Sequence, residues 1–380
     1  MTSSISRRAA LKMAGASAAT LAAWPAWAHE ADMEDSEDDL TAAKIKPRQG
    51  AKGAGGPTRV VTDSAGRKVT VPQKIDRVFV AGDPASVMVY SLTPEKQLGW
   101  TLRISDKQKE FMPPEYANLA MLGRITMRGD TANKEVVLKA DPDLIIDYGT
   151  INDRFTSLAD RVQEQLKVPY LLLDGTFSNI PKVYRELGNI LGAPERAEKL
   201  AAYAEKVLAD VDAARAQVPV AKRPKVFYGR GRDGLETGLR GSIIVELLDR
   251  AGAINVADAA GEQGIATISL EKVLQWDPDI VLTIERNFYQ NAKRDPRWGA
   301  LRAIKEGRFY LAPDLPFSWF DHPPGINRLI GVRWLINVLY PQVPQTDLAS
   351  AAREFYELFY HHKLTDKQVA ELLSSAARKI

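Results

Sequence analysis

The chain has 380 residues, a formal net charge of +3 and no cysteine. Its length allows about two domains, and its 45% hydrophobic and 26% charged residues are typical of a soluble globular protein. The balanced charge gives no reason to expect a nucleic-acid partner, and the lack of cysteine excludes disulfides, thiolate metal sites and lipid attachment through a cysteine.

The N-terminal segment carries export signals. The sequence SRRAALK at 6–12 resembles a twin-arginine motif, an alanine-rich run follows, and AWA at 26–28 is typical of a cleavage site. We expect a signal peptide at 1–28; the alternative is an amphipathic helix. We expect a disordered linker at 29–57, because residues 30–39 include seven carboxylates. The mature protein is therefore expected in the periplasm without a lipid anchor.

Residues 58–180 are predicted to form an α/β lobe. Alternating apolar residues predict a hairpin at 59–71. Short apolar runs predict strands at 78–81, 144–147 and 170–173, and helical spacing predicts helices at 133–140, 157–166 and 180–191. Strands that alternate with helices indicate a mainly parallel sheet.

A long helix is predicted at 195–217, within a connecting segment at 181–219. This stretch has no internal glycine or proline, and its apolar residues recur at helical spacing. At 1.5 Å per residue it would span about 34 Å. We interpret it as a rigid connection between two lobes.

Residues 220–380 repeat the pattern of the first lobe. Strands are predicted at 225–228, 280–283 and 308–311, and helices at 242–251, 270–275, 298–305, 326–339, 347–361 and 366–377. The sequence EVVLKADPDLII at 135–146 matches EKVLQWDPDIVL at 271–282 without a gap. Each copy begins with a glutamate, and its helix is expected to end at Asp-Pro because proline disfavours helical geometry in the preceding residue.

This arrangement resembles the substrate-binding proteins of ABC importers for ferric siderophores, haem and cobalamin, a family with molybdate- and tungstate-binding relatives. The resemblance covers about 58–380. It implies two Rossmann-like lobes with mainly parallel sheets, joined by one long helix, with a ligand cleft between them and no catalytic activity. It also implies that Glu135 and Glu271 dock onto arginines of a dimeric permease; the alternative is a stabilising role at helix N-termini.

Loops at the carboxyl ends of the predicted strands are the expected place for a ligand. Arginine favours oxyanions and carboxylates, and exposed aromatic side chains can cover a large chelate. For the arginines the alternative is pairing with Asp233 or Glu236, and for the 317–324 loop it is core packing. The predicted ligand-binding residues are Ser86, Arg124, Tyr148, Tyr228, Arg230, Arg232, Arg240, Trp319 and His322.

We predict a monomeric periplasmic receptor that captures a ferric-siderophore-type iron complex and delivers it to an ABC permease dimer, without a cofactor. The alternatives are a small oxyanion such as molybdate or tungstate, cobalamin, or haem. A nucleotide-dependent periplasmic enzyme is the alternative from another class, because GRGRDG at 229–234 has G-x-G-x-x-G spacing, although no helix pattern follows it directly. Only four histidines are present, which disfavours a histidine-rich metal site.

Overall fold

The computed structural model describes Ile45 and residues 56–126, 134–261 and 264–376. The predicted signal peptide at 1–28 and nearly all of the predicted linker at 29–57 lie outside these residues. Residues 133 and 377, where two predicted helices begin and end, also lie outside them.

The N-terminal half is built on a small parallel sheet. Its strands are β1 (Thr58–Thr62), β2 (Lys68–Pro72), β3 (Val78–Val80), β4 (Leu144–Gly149) and β5 (Tyr170–Asp174), and its helices are α1 (Asp83–Leu92), α2 (Asp106–Lys109), α3 (Pro114–Ala117), α4 (Lys134–Ala140) and α5 (Asp153–Leu166). Strands β3, β4 and β5 form the parallel sheet in that order, and β1 and β2 form the predicted hairpin. All of β3 and the first five residues of β4 are buried, as expected for a parallel sheet covered on both faces.

Two helices, α6 (Ile180–Leu191) and α7 (Pro194–Ala216), connect the halves. Helix α6 ends at Gly192, whose φ of +74° is the left-handed geometry that glycine adopts easily at a helix C-terminus. A Cβ at Gly188 would lie 2.2 Å from Cβ of Ala197, so glycine there allows the two helices to approach closely. The 23 residues of α7 confirm the predicted long helix. Among the described helices, none is both long and apolar enough to cross a bilayer.

The C-terminal half has a second parallel sheet. Its strands are β6 (Lys225–Gly229), β7 (Glu236–Gly238), β8 (Ile254–Asn255), β9 (Ile265–Thr267), β10 (Ile280–Thr283) and β11 (Phe309–Leu311), and its helices are α8 (Glu246–Ala251), α9 (Leu270–Trp276), α10 (Arg286–Ala292) and α11 (Arg302–Lys305). The sheet order is β11–β10–β6–β8, and β7 pairs antiparallel with β9. Strands β7, β8 and β9 and helices α2, α3 and α10 were not predicted from the sequence. The three strands have only two or three residues each, too few to show alternation.

The last helices, α12 (Arg328–Leu339), α13 (Leu348–Tyr360) and α14 (Asp366–Ala376), pack against both halves. The hydroxyl of Tyr90 on α1 donates to the carbonyl of Tyr360 at 2.6 Å, and the Tyr90 ring lies 5.2 Å from the Trp100 ring. Part of the predicted C-terminal lobe at 220–380 thus completes the core of the N-terminal half. The predicted domain limits stay a hypothesis.

The two Asp-Pro-Asp copies have the same geometry. The first aspartates, Asp141 and Asp277, both adopt left-handed backbone conformations, with φ of 45° and 41°. The second aspartate binds the start of the neighbouring strand in each half: Asp143 accepts the N–H of Arg77 at 3.0 Å, and Asp279 accepts the N–H of Lys225 at 2.8 Å. The repeat therefore encodes a helix end and a strand anchor.

Candidate ligand-binding site

The carboxyl ends of the two parallel sheets meet in one region. The loop after β11, residues 312–327, reaches the start of α1, where a Cβ at Gly325 would lie 3.8 Å from Cα of Pro84. Directly after this loop, Arg328 donates Nη2 to the carbonyl of Gly175, just beyond the end of β5, at 2.7 Å. Ligands of parallel α/β sheets bind outside the carboxyl ends of the strands, so this region is the candidate site.

On the N-terminal side, the site is formed by the β3–α1 turn. Arg124 donates Nη1 to Asp83 Oδ2 at 2.8 Å, and both side chains are partly buried. The Ser86 hydroxyl is buried and donates to the carbonyl of Asp83 at 2.7 Å, so it stabilises the first turn of α1. A Cβ at Gly82 would lie 2.6 Å from Oγ1 of Thr126, which explains the glycine at this turn.

Tyr148 lies at the end of β4 and is fully buried. Its hydroxyl has no hydrogen bond of regular geometry within the described residues, although the Arg328 guanidinium lies close to it. Burial raises the Tyr148 pKa to about 12, and the positive charge of Arg328 opposes this rise. The hydroxyl therefore remains a neutral group at the base of the site.

On the C-terminal side, Arg230 lies at the centre of a polar cluster. Its Nη1 donates to Glu236 Oε1 at 2.7 Å, its Nε lies 2.9 Å from Asp321 Oδ2, and its Nη2 contacts His322 Nε2. The Tyr228 hydroxyl donates to Asp321 Oδ2 at 3.2 Å. Burial and the nearby Asp321 carboxylate raise the Tyr228 pKa well above 10, so this hydroxyl stays protonated.

The imidazole of His322 contacts the guanidinium of Arg230. A guanidinium only donates hydrogen bonds, so His322 Nε2 is the acceptor in this contact. The side chain of His322 is exposed, while its backbone N–H donates to Asp321 Oδ1 at 2.8 Å. An exposed imidazole therefore lies beside Arg230.

The other two predicted arginines lie on more exposed parts of the surface. Arg232 is exposed on the turn between β6 and β7. The Nε atom of Arg240 lies 3.5 Å from Asp258 Oδ2, and its side chain is 60% exposed. The alternative of pairing with Glu236 thus applies to Arg230, whereas Arg240 pairs with Asp258, a partner that we did not predict.

The structure places Trp319 inside the core. This agrees with the alternative prediction that the 317–324 loop packs in the core. The residue is fully buried, and its indole N–H donates to the Tyr356 hydroxyl at 3.1 Å. The neighbouring Phe320 is also buried, and its ring lies 4.6 Å from the Tyr228 ring. These rings support the loop from below, so they do not form an exposed aromatic surface.

The cations of the site were predicted from the sequence, but two of the carboxylates that hold them were not. Asp83 directly follows the β3 turn, and Asp321 lies within the 317–324 loop that was already under consideration. Asp321 is only 1% exposed. A buried carboxylate requires a charged or hydrogen-bonding partner. The position of an aspartate among Trp, Phe and Pro residues could therefore have indicated a buried partner for a cation.

The candidate nucleotide motif does not have the structure of a dinucleotide-binding turn. After Gly234 the chain enters β7, whereas a phosphate-binding turn opens directly into a helix. The φ of Gly234 is +74°, and a Cβ there would lie 2.1 Å from the Phe288 ring, so packing explains this glycine. The described residues also contain no group of three or more His, Asp or Glu side chains arranged to hold a metal ion.

Glu135 and Glu271 occupy matching positions in the first turns of α4 and α9, and both are exposed. The pKa of Glu271 is lowered by its own backbone N–H and by the Ser269 hydroxyl, which shows that part of its charge acts at the helix N-terminus. Ser269 is itself the N-cap residue of α9. Both glutamates remain accessible to a partner.

Two parallel α/β sheets, one long connecting helix and polar groups where the carboxyl ends of the strands meet define a two-lobed solute-binding protein. The chain belongs to the Periplasmic binding protein family, whose pattern matches residues 124–315, just over half of the sequence. It is the extracytoplasmic substrate-binding protein of an ABC importer and not an enzyme, so the nucleotide-dependent alternative is wrong.

Several relatives match at least 80% of this chain. The molybdate-binding protein MolA of Haemophilus influenzae is 27% identical over 341 residues, which cover 80% of this chain and 91% of MolA. A solute-binding protein from Sulfurospirillum deleyianum is 26% identical, with a TM-score of 0.74 over 83% of this chain and 99% of its own. The structure of MolA bound to molybdate has a TM-score of 0.68 at 21% identity, over 81% and 99% of the two chains, and shows the same fold.

Proposed function

We propose that the protein binds a small tetrahedral oxyanion of the molybdate and tungstate class. The observation that carries this proposal is the contact of Arg230 with His322, on a loop that reaches the β3–α1 turn at Gly325; at that turn Asp83 holds Arg124. Guanidinium and imidazole N–H groups suit oxyanion oxygens. The similarity to MolA over most of both chains supports the same ligand class.

The burial of the aromatic loop favours this ligand over the ferric siderophore predicted first. A large chelate needs exposed aromatic or apolar surface to cover it. Trp319 and Phe320 are instead 0% and 1% exposed. The polar groups that remain at the site suit a ligand of few atoms.

The formal charges at the site lead to a specific expectation about anion affinity. Arg124 and Arg230 contribute two positive charges, while Asp83, Asp321 and Glu236 contribute three negative charges when ionised, which gives a formal sum of −1. We infer that an oxyanion is recognised by directed N–H donors rather than by net positive charge. Removal of one carboxylate charge should then strengthen the binding of a dianion.

The test is isothermal titration with molybdate, tungstate, sulfate, a ferric hydroxamate, haem and cobalamin. We expect molybdate and tungstate to bind. Glu236→Gln should bind molybdate about tenfold more tightly, because its carboxylate no longer repels the anion or occupies Arg230. Arg230→Lys should bind at least about tenfold more weakly, because lysine cannot reproduce the planar donor fork.

Arg232→Lys is the matched control, since Arg232 is exposed on the same turn. It should leave the affinity unchanged. Binding of the ferric hydroxamate, haem or cobalamin without binding of molybdate would refute the oxyanion proposal. Weaker molybdate binding by Glu236→Gln would refute the charge argument.

We further propose that Glu135 and Glu271 dock onto the two subunits of the permease, because they are exposed and occupy repeated positions on the two halves. The twin-arginine sequence at 6–12 supports export of a folded protein, and the absence of cysteine supports the lack of a lipid anchor.

A further inference from the structure

Two charged side chains of the C-terminal half hold one loop of the N-terminal half. This loop, residues 174–177, follows β5 at the edge of the candidate site. Arg328, the first residue of α12, donates Nη2 to the carbonyl of Gly175 at 2.7 Å. Glu246, the first residue of α8, accepts the N–H of Phe177 with both carboxylate oxygens, at 2.9 and 3.0 Å.

The two charged groups also bind each other and their own half. Arg328 Nη1 donates to Glu246 Oε2 at 2.8 Å and to the carbonyl of Ile243 at 3.3 Å, while Nε donates to the carbonyl of Gly325 at 3.1 Å. The guanidinium carbon lies 5.4 Å from the Phe177 ring centroid. Every nitrogen of Arg328 therefore has an acceptor, and the acceptors come from both halves.

Most of this network is shielded from solvent. The side chain of Arg328 is 1% exposed and that of Glu246 is 24% exposed. Loss of one partner would leave the other charge uncompensated at a site of low dielectric. Because Arg328 is shielded from solvent, it contacts the 174–177 loop and not a solute.

A solute-binding cleft also requires a defined distance between its two halves. The connecting helices α6 and α7 and the last helices join the halves away from the candidate site. An attachment at the cleft itself would restrain the loops that border it. The Arg328–Glu246 pair supplies such an attachment beside the ends of β4 and β5.

We propose that Arg328 and Glu246 are positioning residues that fix the spacing of the two halves and the conformation of the 174–177 loop in the solute-free protein. The proposal goes beyond the ligand class, since it concerns the protein before a solute binds.

The first test measures the spacing directly. The chain contains no cysteine, so Glu164→Cys on α5 and Gln290→Cys on α10 give two unique and exposed spin-label sites, one on each half. Distances between the labels are measured by pulsed electron resonance without solute. Arg328→Lys and Glu246→Gln should broaden the distance distribution relative to the unsubstituted labelled protein.

The second test measures hydrogen exchange at the amide of Phe177. Glu246→Gln, which keeps the shape of the side chain, should speed this exchange about tenfold, because an amide oxygen accepts more weakly than a carboxylate. Arg333→Lys is the matched control: Arg333 is also on α12, is 7% exposed, pairs with Asp210 at 3.1 Å and lies 5.3 Å from the Tyr203 ring.

Broadening and faster exchange in the Arg328 and Glu246 variants, with neither in the Arg333 variant, would support the proposal. Unchanged distances and unchanged exchange in folded Glu246→Gln would overturn it, as would equal broadening in Arg333→Lys. Neither measurement uses a solute, so a failure of molybdate to bind would overturn the oxyanion proposal and leave this one standing.

Discussion

Asp147 makes the stability of the protein depend on pH in a direction that can be worked out. It lies in β4 and is 7% exposed, and the Tyr170 hydroxyl donates to its Oδ2 at 3.3 Å. Burial raises the Asp147 pKa from 3.8 to about 6, against the opposing effect of this hydrogen bond. Between these two pH values the folded protein therefore holds a proton that the unfolded chain releases.

A folded-state pKa that is raised for a carboxyl group costs stability as the pH increases. The cost is absent below about pH 4, grows between about pH 4 and 6, and is complete at pH 7. A pKa difference of about two corresponds to about 3 kcal/mol. Asp147→Asn removes the charge and should remove this pH-dependent cost.

The assay is urea denaturation of wild type and Asp147→Asn at pH 4, 5, 6 and 7. The free energy of unfolding of the variant minus that of wild type should increase by about 3 kcal/mol from pH 4 to pH 7. The new amide N–H needs an acceptor, and its desolvation lowers stability by about 1–3 kcal/mol at every pH, so the slope and not the absolute difference is the test.

Asp279→Asn is the control with the opposite sign. Partial burial acts to raise the Asp279 pKa, but hydrogen bonds from Arg302 and from the backbone N–H of Lys225 hold it below its ordinary value. Its contribution to stability is present above the unfolded pKa and is lost as the pH falls, so this variant should be most harmful near neutral pH. A difference for Asp147→Asn that is constant, or largest at pH 4, would refute the reasoning.

Two further predictions concern docking and packing. Charge reversal of both Glu135 and Glu271 should abolish uptake through the permease while the solute affinity in titration stays unchanged; a loss of affinity would contradict the docking role. Gly331→Ala should destabilise the protein by about 1–3 kcal/mol despite the better helix propensity of alanine, because a Cβ there overlaps the carbonyl of Trp319. Gly299→Ala, where a Cβ meets open space, should change the melting temperature little, and equal effects of the two changes would argue against the packing explanation.

The fold could be predicted largely because its signals are local. The apolar runs at 144–147 and 280–283 each lie within a buried parallel strand. The two Asp-Pro sequences predicted the ends of α4 and α9, because Asp141 and Asp277 adopt left-handed backbone conformations that terminate the helices. The helices and strands could be predicted without knowing which distant residues they contact.

The candidate site could be predicted less well because its partners are distant in sequence. The pairing of Arg124 with Asp83 and of Arg230 with Asp321 depends on how loops meet after folding. Trp319 illustrates the same limit: a Pro-rich aromatic loop suits either a binding rim or a core, and helix α13 decides between them by covering it.

The contact of Tyr90 with Tyr360 bears on how the chain matures after synthesis. Until the ribosome has added the last helices, α1 lacks the aromatic surface that covers it in the finished molecule. Vectorial folding of the first half during translation is therefore disfavoured, and the polypeptide reaches its final form only as a whole.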